Sequence, residues 1–391
     1  MNDINYCVGN ENISNRPLVP FSEEACGFAA ALSAALMGNA EARNYPDVMS
    51  FAFWCRKANL LDRRNKWEAR GEKRLGRGLV FHIAPSNVPI NFAFSFLFSL
   101  LAGNANLVRI PSRDFPQVAL VCRGINKVLE EYPAIRERTA MVRYAADNAV
   151  TEQLSRTADA RVIWGGDATV AAIRGCAVKP RCIDLVFADR YSFCVLDGAS
   201  VEAAEEGKLK KLAEAFYNDT YLMDQNACSS PQIIFWRNAS EAAKERFWQA
   251  VFAYAKPKYG LQAASCVDKY TKLCQDAADL PQLARGSRIE NLAYRAELKA
   301  LPGDITGLRG TCGYFYEYNL KDYRELLPVL TEKFQTATYF GIDPEELRDF
   351  VLREQVRGID RIVPVGKALD IDAVWDGYDV IGMLSRIVEV R

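Results

Sequence analysis

Histidine is nearly absent from this chain. His82 is the single example in 391 residues, so neither a multi-histidine metal centre nor a histidine relay can be assembled, and no metal is expected. An excess of charge of either sign is missing too. The 49 Lys and Arg balance 49 Asp and Glu, which leaves no global field to attract nucleic acid or an anionic membrane, although local basic pockets for phosphates stay open. Long apolar runs are lacking: the longest, Phe92 to Ala102, is interrupted by Ser95 and Ser99 and falls short of the ~20 residues that span a bilayer. It reads as a buried helix. The start, Met1-Asn2-Asp3-Ile4-Asn5-Tyr6, has neither the basic stretch nor the apolar core of a secretory signal. CxxC pairs are absent as well; the 11 cysteines are odd in number and scattered, which suits a reducing cytoplasm better than a disulfide scaffold.

What is present is an ordinary globular composition, 50% hydrophobic and 25% charged, in a chain long enough for two domains. From Leu79 the pattern predicts strand Leu79 to Ile83, helix Asn91 to Leu101, strand Asn106 to Ile110 and helix Phe115 to Glu131. Strand Met141 to Tyr144, helix Asn148 to Ala158, strand Arg161 to Trp164 and helix Ala168 to Gly175 follow. This βαβ rhythm argues for an α/β fold with a parallel sheet covered by helices. Asp114 before Pro116 suits a helix start. A further strand, Phe193 to Leu196, and a helix, Val201 to Tyr217, lead into a second αβ region. The expected division is a helical cover over 1–65, a Rossmann-type dinucleotide-binding domain over 66–198, a second α/β, catalytic, domain over 199–356, and closing or oligomerising strands over 357–391.

Cys228 is the first candidate for chemistry. It sits in Asp224-Gln225-Asn226-Ala227-Cys228-Ser229-Ser230-Pro231-Gln232, among amides and hydroxyls, just before the apolar run Ile233-Ile234-Phe235-Trp236. A thiolate there is a strong nucleophile that helix dipoles or a nearby cation can activate without a histidine. Asn87, in Ile83-Ala84-Pro85-Ser86-Asn87-Val88-Pro89, follows a strand end, where ligand sites of α/β sheets gather, and its amide can donate to an oxyanion. Alone it would read as a turn-forming asparagine. Gly165 and Gly166 stand between a strand and a helix, as a pyrophosphate site or a close helix–strand contact requires. His82, on a buried strand, is either a satisfied core residue or a proton donor to a leaving thiolate or an aldehyde oxygen.

Together, His82-Ile83-Ala84-Pro85-Ser86-Asn87-Val88-Pro89, Trp164-Gly165-Gly166, Ala227-Cys228-Ser229-Ser230-Pro231-Gln232, Arg361-Ile362-Val363-Pro364-Val365-Gly366 and Trp375-Asp376-Gly377 resemble the LuxC-like fatty acyl-CoA reductases of the aldehyde dehydrogenase superfamily. The resemblance runs from about Arg77 to Arg391. It implies an aldehyde-dehydrogenase-like fold, Cys228 as acyl-accepting nucleophile, Asn87 as oxyanion donor, and a cofactor set of Ser86, Arg109, Ser112, Arg113, Gly165 and Gly166. NADPH is the expected cofactor, with NADH as its alternative, because Arg109 and Arg113 flank Pro111-Ser112, where relatives that prefer NAD often place a carboxylate.

Two departures carry weight. Near Val186-Phe187-Ala188-Asp189-Arg190, where hydrolytic aldehyde dehydrogenases keep a general-base glutamate, none stands; Asp184, just upstream, is the carboxylate considered in its place. A reductase must keep its thioester intact until hydride arrives, so a missing base points toward acyl reduction. The amino-terminal region is also shorter than the family's, which touches the oligomer contacts and part of the acyl pocket. The function expected is cytoplasmic reduction of acyl-CoA or an acyl-protein to an aldehyde by a homo-oligomer, with an acyltransferase as partner. A semialdehyde or acyl-phosphate reductase is the enzymatic alternative, and a nucleotide-binding partner without turnover is the other.

Overall fold

The computed structural model describes residues 4–86, 88–145 and 148–391. The chain divides into two compact units, Met1–Ala188 with Ala373–Arg391, and Asp189–Asp372. The four expected segments are drawn differently: the 1–65 cover belongs to the first unit, the break falls at Ala188 rather than 198, and the 357–391 segment is shared between the units.

In the first unit the strands are β1 (Asn5–Val8), β2 (Arg74–Gly76), β3 (Leu79–Ile83), β4 (Ala105–Arg109), β5 (Thr139–Arg143), β6 (Ala160–Trp164) and β7 (Ile183–Phe187). One sheet has the order β1-β5-β4-β3-β6-β7, parallel throughout except for the edge strand β1. Every residue of β3 is buried, as expected of a central parallel strand with both faces covered. The chain steps from β3 to β4 to β5 on one side and returns to β6 and β7 on the other. The carboxyl ends of β3 and β6 therefore flank the topological switch point, where doubly wound sheets bind ligands.

Helix Asn91–Leu101 is buried over nearly its whole circumference. It is enclosed by the amino-terminal helices through edge-on aromatic pairs, Phe28 with Phe96, Phe51 with Phe94 and Trp54 with Phe98. The helix expected from Phe115 spans Pro116–Leu129 with Phe115 at its cap position. Asp114 does not cap it; its carboxylate instead pairs with Arg143 at 3.0 Å. The tail forms a tight hairpin, Val374–Trp375 against Tyr378–Asp379, whose turn residues Asp376 and Gly377 have φ of 49° and 73°. A type I′ turn needs two such left-handed residues, which explains the Asp-Gly pair. Ser385–Ile387 then pairs with β2, so this part of the expected closing strands returns to its own unit.

The second unit contains β8 (Tyr191–Asp197), β9 (Pro231–Arg237), β10 (Leu283–Ile289), β11 (Ala293–Leu298), β12 (Tyr314–Asn319), β13 (Phe334–Phe340) and β14 (Arg361–Pro364). Their order is β10-β11-β12-β9-β8-β13-β14, and only β10 runs antiparallel to its neighbour. Side chains alternate between two cores: Phe193, Val195, Ile233 and Phe235 enter one, and Cys194, Leu196, Ile234 and Trp236 the other.

The single helix expected over Val201 to Tyr217 is two, Gly198–Ala203 and Glu206–Thr220. Arg246 donates to the carbonyls of Val201, Glu202 and Ala204, which satisfies the open C-terminal end of the first helix. Among the described residues no helix is long and apolar enough to cross a membrane.

Candidate active site

Cys228 is exposed, on a turn between a short 3-10 stretch, Tyr221–Met223, and the start of β9. Asp224 and Gln225 both take left-handed backbone conformations, φ 50° and 59°, which non-glycine residues hold only when their surroundings fix them. Those surroundings are amides. Gln225 Oε1 accepts from the backbone N–H of Gly313 (2.8 Å) and Tyr314 (3.1 Å), while its Nε2 donates to the Tyr314 carbonyl (3.1 Å). Gln232 Nε2 donates to the Gln225 carbonyl at 2.9 Å, and Gln232 Oε1 accepts from Gly310 at 2.9 Å. Both glutamines are buried, and stranding one such group costs about 1–3 kcal/mol.

The turn itself closes with Ser230 N–H donating to the Ala227 carbonyl, so Cys228 occupies its outer corner. The hydroxyl of buried Ser230 donates to the Asp219 carbonyl at 2.7 Å. Asp219 in turn accepts from the N–H groups of Gly366 (2.6 Å) and Ala368 (2.9 Å). Burial pushes its carboxyl up to about 7, against those two donors.

Two further side chains meet Cys228 directly. Ser192 donates its hydroxyl to the Cys228 carbonyl at 2.7 Å, and Gln335 Nε2 lies 3.5 Å from the Cys228 sulfur. Neither was among the sequence candidates, since each comes from a different strand of the sheet. The Arg361-to-Gly366 segment, by contrast, is built for structure. The Arg361 guanidinium donates to the carbonyls of Lys367, Ala368 and Asp370, and Gly366, at φ 95°, passes so near Ala215 that a Cβ would lie 2.7 Å from it.

The candidate cofactor residues lie in the first unit, at the carboxyl ends of its strands. Ser86 follows β3 and is exposed; Arg109 ends β4 with its guanidinium 4.4 Å from the Tyr144 ring centre. Ser112 and Arg113 are exposed in the next loop, with Arg113 over Phe115 at 5.1 Å. Gly165 and Gly166 join β6 to helix Asp167–Arg174, and a Cβ on Gly166 would have no atom within 4 Å. That open backbone at a helix N-terminus fits the approach of a pyrophosphate. Trp164, just before it, stacks on Phe187 at 3.7 Å.

His82 does not fit the proton-donor role considered for it. It is wholly enclosed in β3, with Nδ1 2.7 Å from Ser95 Oγ and Nε2 3.0 Å from Asn106 Oδ1. Burial lowers its pKa to about 4, opposed in part by the Asn106 bond. A neutral ring with both nitrogens engaged and no exposed edge is a core residue. Asp184 is equally committed: Arg161 grips both carboxylate oxygens at 2.7 Å. Asp189 pairs with Arg309 at 2.9 Å. Asn87 lies outside the described residues.

Solved structures similar to this chain include aldehyde dehydrogenase 21 from Physcomitrella patens, with a TM-score of 0.62 and 12% identity over 94% of this chain and 86% of that one. A mutant of the Thermus thermophilus 1-pyrroline-5-carboxylate dehydrogenase gives 0.62 at 13% identity, over 94% and 80%. The fold is therefore that of the aldehyde dehydrogenases. The profile of the acyl-CoA reductase (LuxC) family matches residues 28–259, and the chain belongs to that family.

Among curated relatives, a long-chain acyl-protein thioester reductase of Vibrio harveyi is 31% identical over 340 residues, 83% of this chain and 66% of the relative. Long-chain acyl-protein thioester reductase 2 of Photobacterium leiognathi is 29% identical over 177 residues, 44% of this chain and 35% of the relative. The chain thus spans just under two thirds of the first relative's length and about a third of the second's.

Proposed function

We propose that this protein reduces an acyl thioester to an aldehyde through a thioacyl intermediate on Cys228. The observation that carries the reading is an exposed thiol on a turn whose backbone is fixed by buried, fully engaged amides. Such a turn holds the sulfur in one place without a neighbouring histidine.

In this reading the Cys228 thiolate attacks the thioester carbonyl, a new C–S bond forms, and the carrier leaves as a thiolate that takes a proton from solvent. Exchange of one thioester for another is nearly balanced in energy, so positioning and oxyanion support decide the rate. Asn87 and the backbone N–H of Cys228 are assigned that support. A nicotinamide, when bound, would supply the hydride that turns the thioacyl group into a thiohemiacetal. Ser86, Arg109, Ser112, Arg113, Gly165 and Gly166 are assigned to hold it. Collapse of the thiohemiacetal breaks the C–S bond, frees the aldehyde and returns the thiolate.

We assign NADPH as cofactor and acyl-CoA or an acyl-protein as substrate, and we take the enzyme to work as a cytoplasmic homo-oligomer beside an acyltransferase. Guanidinium groups suit a 2′-phosphate, so Arg113→Glu is expected to reduce the preference for NADPH over NADH. Equal rates with both cofactors in the wild type would count against the assignment.

The reductase reading itself is tested in reverse. With Asp184 and Asp189 tied into ion pairs, no carboxylate is assigned to activate water. Aldehyde plus NADP⁺ should give at most one enzyme equivalent of NADPH, and added CoA should restore turnover. Sustained free acid without any thiol would mean a hydrolytic enzyme.

A further inference from the structure

The sheet around Cys228 is irregular on both sides of one residue. Between β13 and β8, Phe334 pairs with Tyr191 and Ala337 with Phe193, so Gln335 and Thr336 together stand opposite Ser192. Between β8 and β9, Ser192 pairs with Pro231 and Phe193 with Ile233, which leaves Gln232 as the extra residue. Bulges are uncommon in parallel pairs, and where they occur beside active sites they re-aim a side chain. Here two of them converge on Ser192, whose hydroxyl accepts from Thr336 N–H at 3.2 Å and donates to the Cys228 carbonyl at 2.7 Å.

The same irregularity carries Gln335. The residue is 1% exposed, yet Nε2 reaches the sulfur of the exposed Cys228 at 3.5 Å, and Oε1 accepts from Thr336 Oγ1 at 3.5 Å. The amide oxygen thus faces Thr336 Oγ1 and the amide N–H faces the sulfur.

We infer that Gln335 is a hydrogen-bond donor to the Cys228 thiolate, set in place by the paired bulges, and that it supplies part of the thiolate stabilisation that an imidazolium supplies in other thiol enzymes. The inference rests on the reading of Cys228 as the nucleophile. The only histidine of the chain is enclosed in β3 of the other unit with both nitrogens engaged, so thiolate support comes from groups other than histidine. An amide N–H meets that need. It stabilises S⁻ before attack and again when the thiohemiacetal C–S bond breaks and the electron pair returns to sulfur. It cannot take a proton from water, so it supports the thiolate without exposing the acyl-enzyme to hydrolysis.

The test uses the full chain and two variants close to glutamine in size, Gln335→Met, which removes the donor, and Gln335→Glu, which replaces it with a charge. The rate of iodoacetamide alkylation is followed against pH on the Cys228 peptide by mass, with thermal unfolding measured alongside. A hydrogen bond to a charged group is worth enough for about a tenfold effect. Alkylation at neutral pH should therefore fall about tenfold in Gln335→Met, with the midpoint of the profile about one pH unit higher, and fall further in Gln335→Glu. Unchanged profiles in both folded variants, with only the unfolding temperature lowered, would overturn the inference and leave Gln335 a packing residue. Acyl labelling of the wild type by an acyl thioester is scored separately. Its absence would remove the nucleophile reading, while the alkylation profiles still decide whether Gln335 acts on the sulfur.

Discussion

Cys228→Ala is expected to abolish both acyl labelling and thioester reduction while nicotinamide binding stays near wild type. The expectation of complete loss follows from the division of labour in the chain. The assigned cofactor residues belong to one compact unit and the thiol to the other, so deleting one sulfur removes no assigned cofactor contact. Nor should the fold suffer. The side chain is exposed, and the turn is held through backbone groups by Ser192, Ser230, Gln225 and Gln232, all of which an alanine leaves intact. Three of the other thiols offer no substitute: Cys55, Cys122 and Cys194 are buried, and burial pushes the thiols of Cys55 and Cys194 far up and that of Cys122 up to about 12. The check is cofactor titration and turnover on the same folded sample. Retained labelling in Cys228→Ala would move the chemistry to another thiol, with exposed Cys274 the first to map.

Asn87→Ala should lower turnover by roughly two to three powers of ten, the loss that follows removal of a single oxyanion donor elsewhere. Most of that loss belongs in kcat, because the charge on oxygen develops in the transition state and is absent from the bound thioester. A turn-forming asparagine would behave differently. Its removal would lower the unfolding temperature and leave turnover per folded molecule near wild type, so kinetics and calorimetry on one preparation separate the two.

How far these residues could be read from sequence depends on how local their causes are. β3 and helix Asn91–Leu101 fall where their apolar patterns put them, because a covered strand and an enclosed helix each declare themselves within a few residues. Cys228 stood out for a similar reason, its polar neighbours contrasting with the apolar run that follows. The break between Ala203 and Glu206 was less legible, since the carbonyls it opens are satisfied by Arg246, some forty residues on. His82 was ambiguous in sequence because a central parallel strand is buried on both faces, and alternation then says nothing about which way the ring points.

Gln335 is the hardest case. It meets Cys228 across 107 residues of chain, and only by virtue of a bulge. The one available signal was compositional: Gln335-Thr336 and Thr338 interrupt a strand otherwise made of Phe334, Ala337, Tyr339 and Phe340, and all three polar side chains are buried. Buried polar groups on a strand beside a nucleophile merit a functional question before a structural one.

The most direct measurement is mass analysis of the wild-type chain after incubation with an acyl thioester in the absence of any nicotinamide. One acyl group per chain is expected, mapped to the peptide containing Cys228, stable in buffer and discharged as aldehyde when NADPH is added. An adduct on another residue, or steady release of free acid with no cofactor present, would contradict a thioacyl reductase centred on Cys228.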